Sequence, residues 1–177
     1  KKKISHIKIR EPGGNPNSEK IRNLILSNKS NFSKNTDLLL YMAARSENIN
    51  IIRKSFNRKI ILIDRFTDST IAYQHFGMGI DLNLIETLNK YLLKNIKVSF
   101  TFLNIVNQKN LKKRLKLRKS LNRYDKFKIS LNDKVQKGFI KLSKKRKKKY
   151  QLINSNLEIE ENEKLILNKI DKLIKWI

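Results

Sequence analysis

The chain has 177 residues, 39% of them hydrophobic, and carries 41 Lys+Arg against 15 Asp+Glu, a formal charge of +26. That length and apolar content support a globular core and exclude wholesale disorder. Without cysteine there are neither disulfides nor thiolate metal sites, which agrees with a reducing, cytoplasmic setting. No apolar run approaches the roughly 18 residues a membrane span needs. The charge admits nucleic acid, an anionic membrane or a phosphate-rich ligand without choosing among them. It is also uneven: residues 109–149 hold 19 basic and 2 acidic residues. Lys, Asn and Ile, the residues an AT-rich genome over-supplies, number 31, 21 and 24, so part of the basicity reads as coding bias.

In chain order, Ile4–Arg10 alternates apolar and polar residues and predicts a strand. It runs into Glu11-Pro12-Gly13-Gly14-Asn15-Pro16, a loop dense in breakers. Ser18–Ser27 predicts a helix, a polar stretch spans Asn28–Asn35, and a long helix runs from about Thr36 to Asn57. Ile60–Ile63 reads as a short parallel strand buried on both faces, delivering Asp64 and Arg65 at its end. Thr67–His75 and Asp81–Leu93 predict helices, the second capped by Asp81. Ser99–Ile105 reads as a strand, Gln108–Leu117 as a helix and Lys119–Ser130 as a basic connection. Leu131–Lys149 predicts a basic amphipathic helix, Gln151–Ile153 a last short strand, and Glu160–Trp176 a closing helix. Alternation of strands and helices implies an α/β fold around a mostly parallel sheet. The expectation is one domain over 1–177.

Two placements carry chemistry. On the helix Thr36–Asn57, Leu38, Met42, Ile49, Ile52 and Phe56 share a stripe with Arg45 in its middle. A charge on a core-facing stripe needs a partner. Either Arg45 meets a structural carboxylate, or it works with Tyr41, one turn earlier, on a planar hydrogen-bonding ligand. Arg10 and Arg65 each close a strand, and ligands of open parallel sheets bind beyond the carboxyl ends of strands. Two arginines beside Asp64 suit an anion and a metal, against the alternative of a structural ion pair.

The string Asp64-Arg65-Phe66-Thr67-Asp68-Ser69-Thr70-Ile71-Ala72-Tyr73-Gln74 resembles the signature of the thymidylate kinase family. Three further blocks agree in order and spacing: Arg10-Glu11-Pro12-Gly13-Gly14 with Glu19-Lys20-Ile21-Arg22; Leu38 to Arg45; and Gly77-Met78-Gly79-Ile80-Asp81. The resemblance implies a P-loop nucleoside-monophosphate-kinase-like parallel sheet flanked by helices. The activity implied is transfer of the γ-phosphoryl group of ATP to dTMP, giving dTDP on the way to dTTP, with Mg²⁺. It places Tyr41 against the base, Arg45 on a base carbonyl, Gln74 and Thr70 at the base edge, and Tyr73 at the sugar. Arg10 and Arg65, with Arg22 nearby, would hold the acceptor phosphate. Asp64 would organise Mg²⁺ indirectly, and Glu11 would line the same pocket. A lid over about 115–130 would bring Arg114, Arg118 and Arg123 to the transferring phosphate. The family also suggests a homodimer.

The family's Gly-rich phosphate loop does not occur in this sequence. The expectation is therefore a chain short of its first strand and that loop by roughly 30–45 residues, inactive as it stands, with an unfilled slot between the strands at 4–10 and 60–63 and the one at 99–105. Asn122-Arg123 replaces the usual Asp-Arg of the lid, and Asn154 an Asp after the last strand. Two other readings remain: a catalytically inactive dTMP-binding relative, and a nucleic-acid-binding protein. The latter would want aromatic residues interleaved with the basic ones, and residues 109–149 offer only Tyr124, Phe127 and Phe139.

Overall fold

The computed structural model describes residues 4–127 and 129–174. The expected end of the last helix at Trp176, and Lys128 within the expected lid, fall outside them. The chain packs as two compact units, Lys1–Lys97 with Leu121–Phe139, and Val98–Ser120 with Ile140–Ile177.

In the first unit, β1 (His6–Arg10) pairs in parallel with β2 (Ile60–Asp64), in a register that sets Ile9 against Ile63 and Arg10 against Asp64. The amide of Glu11 extends the ladder by donating to the Asp64 carbonyl at 2.9 Å. Helix α1 (Pro16–Leu26) starts where Asn15 caps the amides of Asn17 and Ser18 and Pro16 takes the first turn. Helix α2 (Lys34–Ser55) is capped by Ser33. Its stripe is buried at Leu38, Met42, Arg45, Ile49 and Ile52, but Phe56 follows the last turn as its C-cap and stands 37% exposed. The single helix expected over Thr67–His75 divides into α3 (Thr67–Thr70) and a π-helix over Ile71–Gly77. Wider π turns recur at functional sites, because they re-aim side chains within a helical path. Helix α4 (Leu82–Leu93) is capped by Asp81, as its sequence predicts.

The core of this unit joins Ile9, Ile49, Ile52 and Leu93, with Ile7, Ile61, Ile63 and Phe66 packed against them. Because strand side chains alternate, Ile61 and Ile63 meet this core while Leu62 points the other way and is 43% exposed. The expectation that this strand is buried on both faces is therefore corrected. Its unbroken apolar run is covered on one side only within this unit.

In the second unit, β3 (Thr101–Ile105) pairs in parallel with β4 (Tyr150–Asn154). Helix α5 (Gln108–Lys116) begins at an Asn107 cap. Helix α6 (Ile129–Lys145), whose residues to Phe139 belong to the first unit, stops earlier than its basic pattern suggests, and Lys147–Lys149 form a 3₁₀ turn. Helix α7 (Ile159–Ile174) follows β4. The four strands among the described residues thus pair as two two-stranded ladders, β1 with β2 and β3 with β4. The fold is α/β with parallel strands and flanking helices, as the alternation of elements predicts.

Candidate active site

The carboxyl ends of β1 and β2 bring Arg10, Glu11, Asp64 and Arg65 to one edge, by the register that pairs Arg10 with Asp64. Arg65 adopts a left-handed backbone, φ 62°, a conformation that costs a non-glycine residue about 1 kcal/mol or more and is held where the surroundings impose it. Its guanidinium lies 5.4 Å from the centre of the Tyr73 ring. After the Glu11–Pro12 cis bond, Gly13 (φ 132°) and Gly14 (φ 104°) turn the chain back. Glu19 accepts from the Gly14 amide at 3.0 Å and from Arg10 at 3.3 Å. That amide, followed by the Arg10 side chain, holds the Glu19 carboxyl below its usual range. Arg22 donates to the Pro12 carbonyl at 2.8 Å, and its pKa is lowered by burial first and then by the charges of Arg10 and Arg65. Arg10 and Arg22 flank Glu19, and Arg65 adds to the positive charge felt at Arg22, so this edge concentrates positive potential.

Arg45, the largest fully buried side chain, stands beside this edge. Its Nε and Nη2 donate to Glu11 Oε2 at 2.9 and 2.6 Å, Nη1 to Asn89 Oδ1 at 2.6 Å, and Nη2 to Thr70 Oγ1 at 2.9 Å. Met42 sulfur accepts at 3.8 Å from Nη1, and the Phe66 ring lies 5.1 Å beneath. All five N–H groups therefore have protein acceptors. The carboxylate partner that a buried Arg45 needs is Glu11. Donation to a ligand carbonyl requires one of these bonds to be surrendered. Burial nevertheless pushes the Glu11 carboxyl up, against the opposing pull of Arg45, and Glu11 Oε1 is buried without a hydrogen-bond partner among the described residues.

Next to Arg45 lies an aromatic cluster. Tyr41, whose hydroxyl is pushed up to about 12 by burial, meets Tyr124 edge-on with ring centres 6.0 Å apart. Tyr73 meets the same ring at 5.9 Å. Gln74, 1% exposed, donates from Nε2 to the Tyr124 hydroxyl at 3.4 Å. The structure thus gathers Arg10, Glu11, Arg22, Tyr41, Arg45, Asp64, Arg65, Thr70, Tyr73 and Gln74 into one unit.

The three arginines expected of the lid fare differently. Arg123 forms an ion pair with the buried Asp37 and lies over the rings of Phe32 and Tyr124. Its guanidinium is held within the first unit, largely out of solvent. Arg114 belongs to the second unit, where it donates to the Ser155 carbonyl at 2.5 Å. Arg118 also belongs to that unit.

Sequence reasoning missed Asp37, Asn48 and Asn89. Asn48 is fully buried and braces the glycine loop, donating to the Gly13 carbonyl at 2.6 Å and accepting from Ser18 and Asn15. Its position three residues after Arg45, on the same helix face, was the available signal.

Magnesium binds through one or two carboxylates together with substrate phosphates and water. A strand-end Asp64 beside an arginine edge fits that donor set. Among the described residues, no group of three or more His, Cys, Asp or Glu forms a protein-only cage.

Comparison with known proteins agrees with the geometry. The family model described as Thymidylate kinase matches residues 1–166. A thymidylate kinase of Sulfurihydrogenibium sp. is 34% identical over 168 residues, covering 93% of this chain and 81% of that protein. One from Mycoplasma capricolum is 34% identical, covering 91% and 80% respectively. The crystal structure of thymidylate kinase from Ehrlichia chaffeensis superposes with a TM-score of 0.73 at 30% identity, over 96% of this chain and 80% of that one. With arginines and an aspartate at the strand ends, an aromatic cluster beside them and this breadth of similarity, the chain belongs to the thymidylate kinase family.

Proposed function

We propose that this protein phosphorylates dTMP to dTDP with ATP, and that the first unit is its acceptor site. The observation that carries the reading is the convergence of Arg10, Arg22 and Arg65 beside Tyr41, Tyr73 and Gln74. A charged, hydrogen-bonding edge for phosphate adjoins an aromatic, amide-bearing pocket for a base. In the reaction a 5′-phosphate oxygen of dTMP attacks the γ-phosphorus of ATP, the bond from that phosphorus to the β,γ-bridging oxygen breaks, and ADP leaves. Such transfer depends on positioning and on neutralising charge.

Arg10 and Arg65 hold the acceptor phosphate, Arg65 in a backbone conformation set before the ligand arrives. Arg22 adds positive potential from the glycine loop. Tyr41 faces the base, Gln74 and Thr70 its edge, and Tyr73 the sugar. Arg45 acts chiefly by fixing Glu11, Thr70 and Asn89 in place. Asp64 would help hold Mg²⁺, which when bound would supply charge neutralisation on the phosphates. Arg118 is assigned to the transferring phosphate on the sequence resemblance. In keeping with the family, the active assembly is a homodimer.

Titration calorimetry with dTMP, set against filter binding of DNA and RNA across a salt series, tests the reading. Saturable one-site dTMP binding without comparable nucleic-acid retention is expected. Salt-sensitive nucleic-acid binding in the absence of dTMP binding would overturn it.

A further inference from the structure

The segment 121–127 does not lie loose over the first unit. Asn28 Nδ2 donates to the Leu121 carbonyl at 2.9 Å, and the Arg123 amide donates to the Leu26 carbonyl at 3.2 Å. The polar stretch after α1 thus receives this segment. Arg123 then reaches Asp37 Oδ1, and the Tyr124 hydroxyl reaches Asp37 Oδ2 at 3.2 Å. On its other side that hydroxyl takes the Gln74 amide nitrogen at 3.4 Å.

The direction of this chain follows from donor and acceptor inventories. Asp37, paired with a guanidinium, accepts on both oxygens. The single Tyr124 proton therefore goes to Asp37, which is a stronger acceptor than the nearby phenol of Tyr41. Burial, reinforced by Tyr41 and Asp37, pushes the Tyr124 hydroxyl up, so it keeps that proton to donate. The Tyr124 oxygen is then left with lone pairs alone. It can only accept from Gln74, and the Gln74 amide is fixed with its nitrogen toward Tyr124 and its oxygen turned away. Amide orientation is decided by the surrounding network in this manner.

We propose that Asp37, acting through Tyr124 and clamped by Arg123, is a specificity-determining positioning residue that locks Gln74 to present its carbonyl oxygen to the acceptor base. An acceptor at that point selects a pyrimidine bearing N3–H, as in dTMP, and opposes cytosine, whose N3 is a lone pair. A site that leaves a buried polar group facing its like rejects the wrong base strongly. The inference rests on the proposed acceptor role of the first unit.

The test is the affinity ratio of dTMP to dCMP, measured by calorimetry, directly or in competition, on the full chain. Deoxyribose 5-phosphate, which has the phosphate but no base, serves as control. Tyr124→Phe removes one hydroxyl and frees Gln74 to turn. Its dTMP/dCMP ratio is expected to fall about tenfold, with deoxyribose 5-phosphate affinity unchanged within about twofold. Asp37→Asn should give the same loss of ratio, and Asp37→Asn with Tyr124→Phe no more than either alone, because both break one chain. An unchanged ratio in Tyr124→Phe overturns the inference, as does an equal loss for deoxyribose 5-phosphate, which marks general damage. Should Asp37→Asn fail to fold, Tyr124→Phe decides alone. Absence of dTMP binding by the unmodified chain overturns the functional reading and this inference together, whereas dTMP binding with an unaltered ratio overturns the inference only.

Discussion

Arg45 and Arg65 show how differently two arginines of one site act. Arg45 is surrounded by acceptors and stabilises the pocket, so Arg45→Met leaves Glu11 buried without its counter-charge. The expected cost is about 3–5 kcal/mol in chemical denaturation. Much of it should return in Arg45→Met with Glu11→Gln, where no bare carboxylate remains. Arg65 is held in a left-handed conformation at the anion edge. Arg65→Ala is expected to weaken dTMP binding by about 10- to 100-fold, the worth of charge-assisted hydrogen bonds, with little change in thermal midpoint. Glu19 supplies a pH dependence. Its carboxyl is lowered in the fold by the Gly14 amide and then by Arg10. The stability it contributes is present above its unfolded value, near 4.5, and is lost as pH falls through the lower folded value. Glu19→Gln should therefore lower the thermal midpoint at pH 7, and the gap to the unmodified chain should close in strong acid. Strand-end arginines were legible because they directly follow apolar runs. Asp37, Asn48 and Asn89 were not, since a helix carries many polar residues and its sequence alone does not tell which of them a neighbouring element covers.

At the scale of elements, the loop after β1 is tied to the arginine edge through Glu19 and Arg22. A Cβ on Gly13 would sit 2.5 Å from Glu19 Oε1 and 3.2 Å from the Arg22 side chain, on a backbone with φ 132°. Gly13→Ala should cost about 1–3 kcal/mol and weaken dTMP binding as well, since it displaces Glu19, which holds Arg10, together with Arg22. The breakers in this loop announced a turn. They did not announce that Asn48, 35 residues later, donates to the Gly13 carbonyl. Element types were legible where periodicity was long, as in α2 and α4. The π-helix over Ile71–Gly77 was not, because its departure from α geometry lies in hydrogen-bond spacing and leaves little trace in hydrophobic pattern. Nor was the one-sided cover of β2, because an apolar run records how much could be buried and not what packs against it.

For the whole molecule, the charge of +26 combines a few arginines at the strand-end edge with a largely exposed lysine background. Replacing Lys144, Lys145, Lys147, Lys148 and Lys149 by Gln should leave dTMP affinity within about twofold, because exposed charges are screened at physiological salt. A larger loss, read by calorimetry at fixed ionic strength, would assign these lysines to ligand binding. Local order in the chain was sufficient to establish the family, the succession of strands and helices, and the arginines and aspartate at the strand ends, since each is written within a few neighbouring residues. The bonds that give those residues their work are of another kind. Arg45 meets Glu11 across 34 positions, Tyr124 meets Gln74 across 50, and Arg123 meets Asp37 across 86. Such pairings arise only when distant segments are packed together and each buried donor must find an acceptor, so folding chose the partners that the linear order left open.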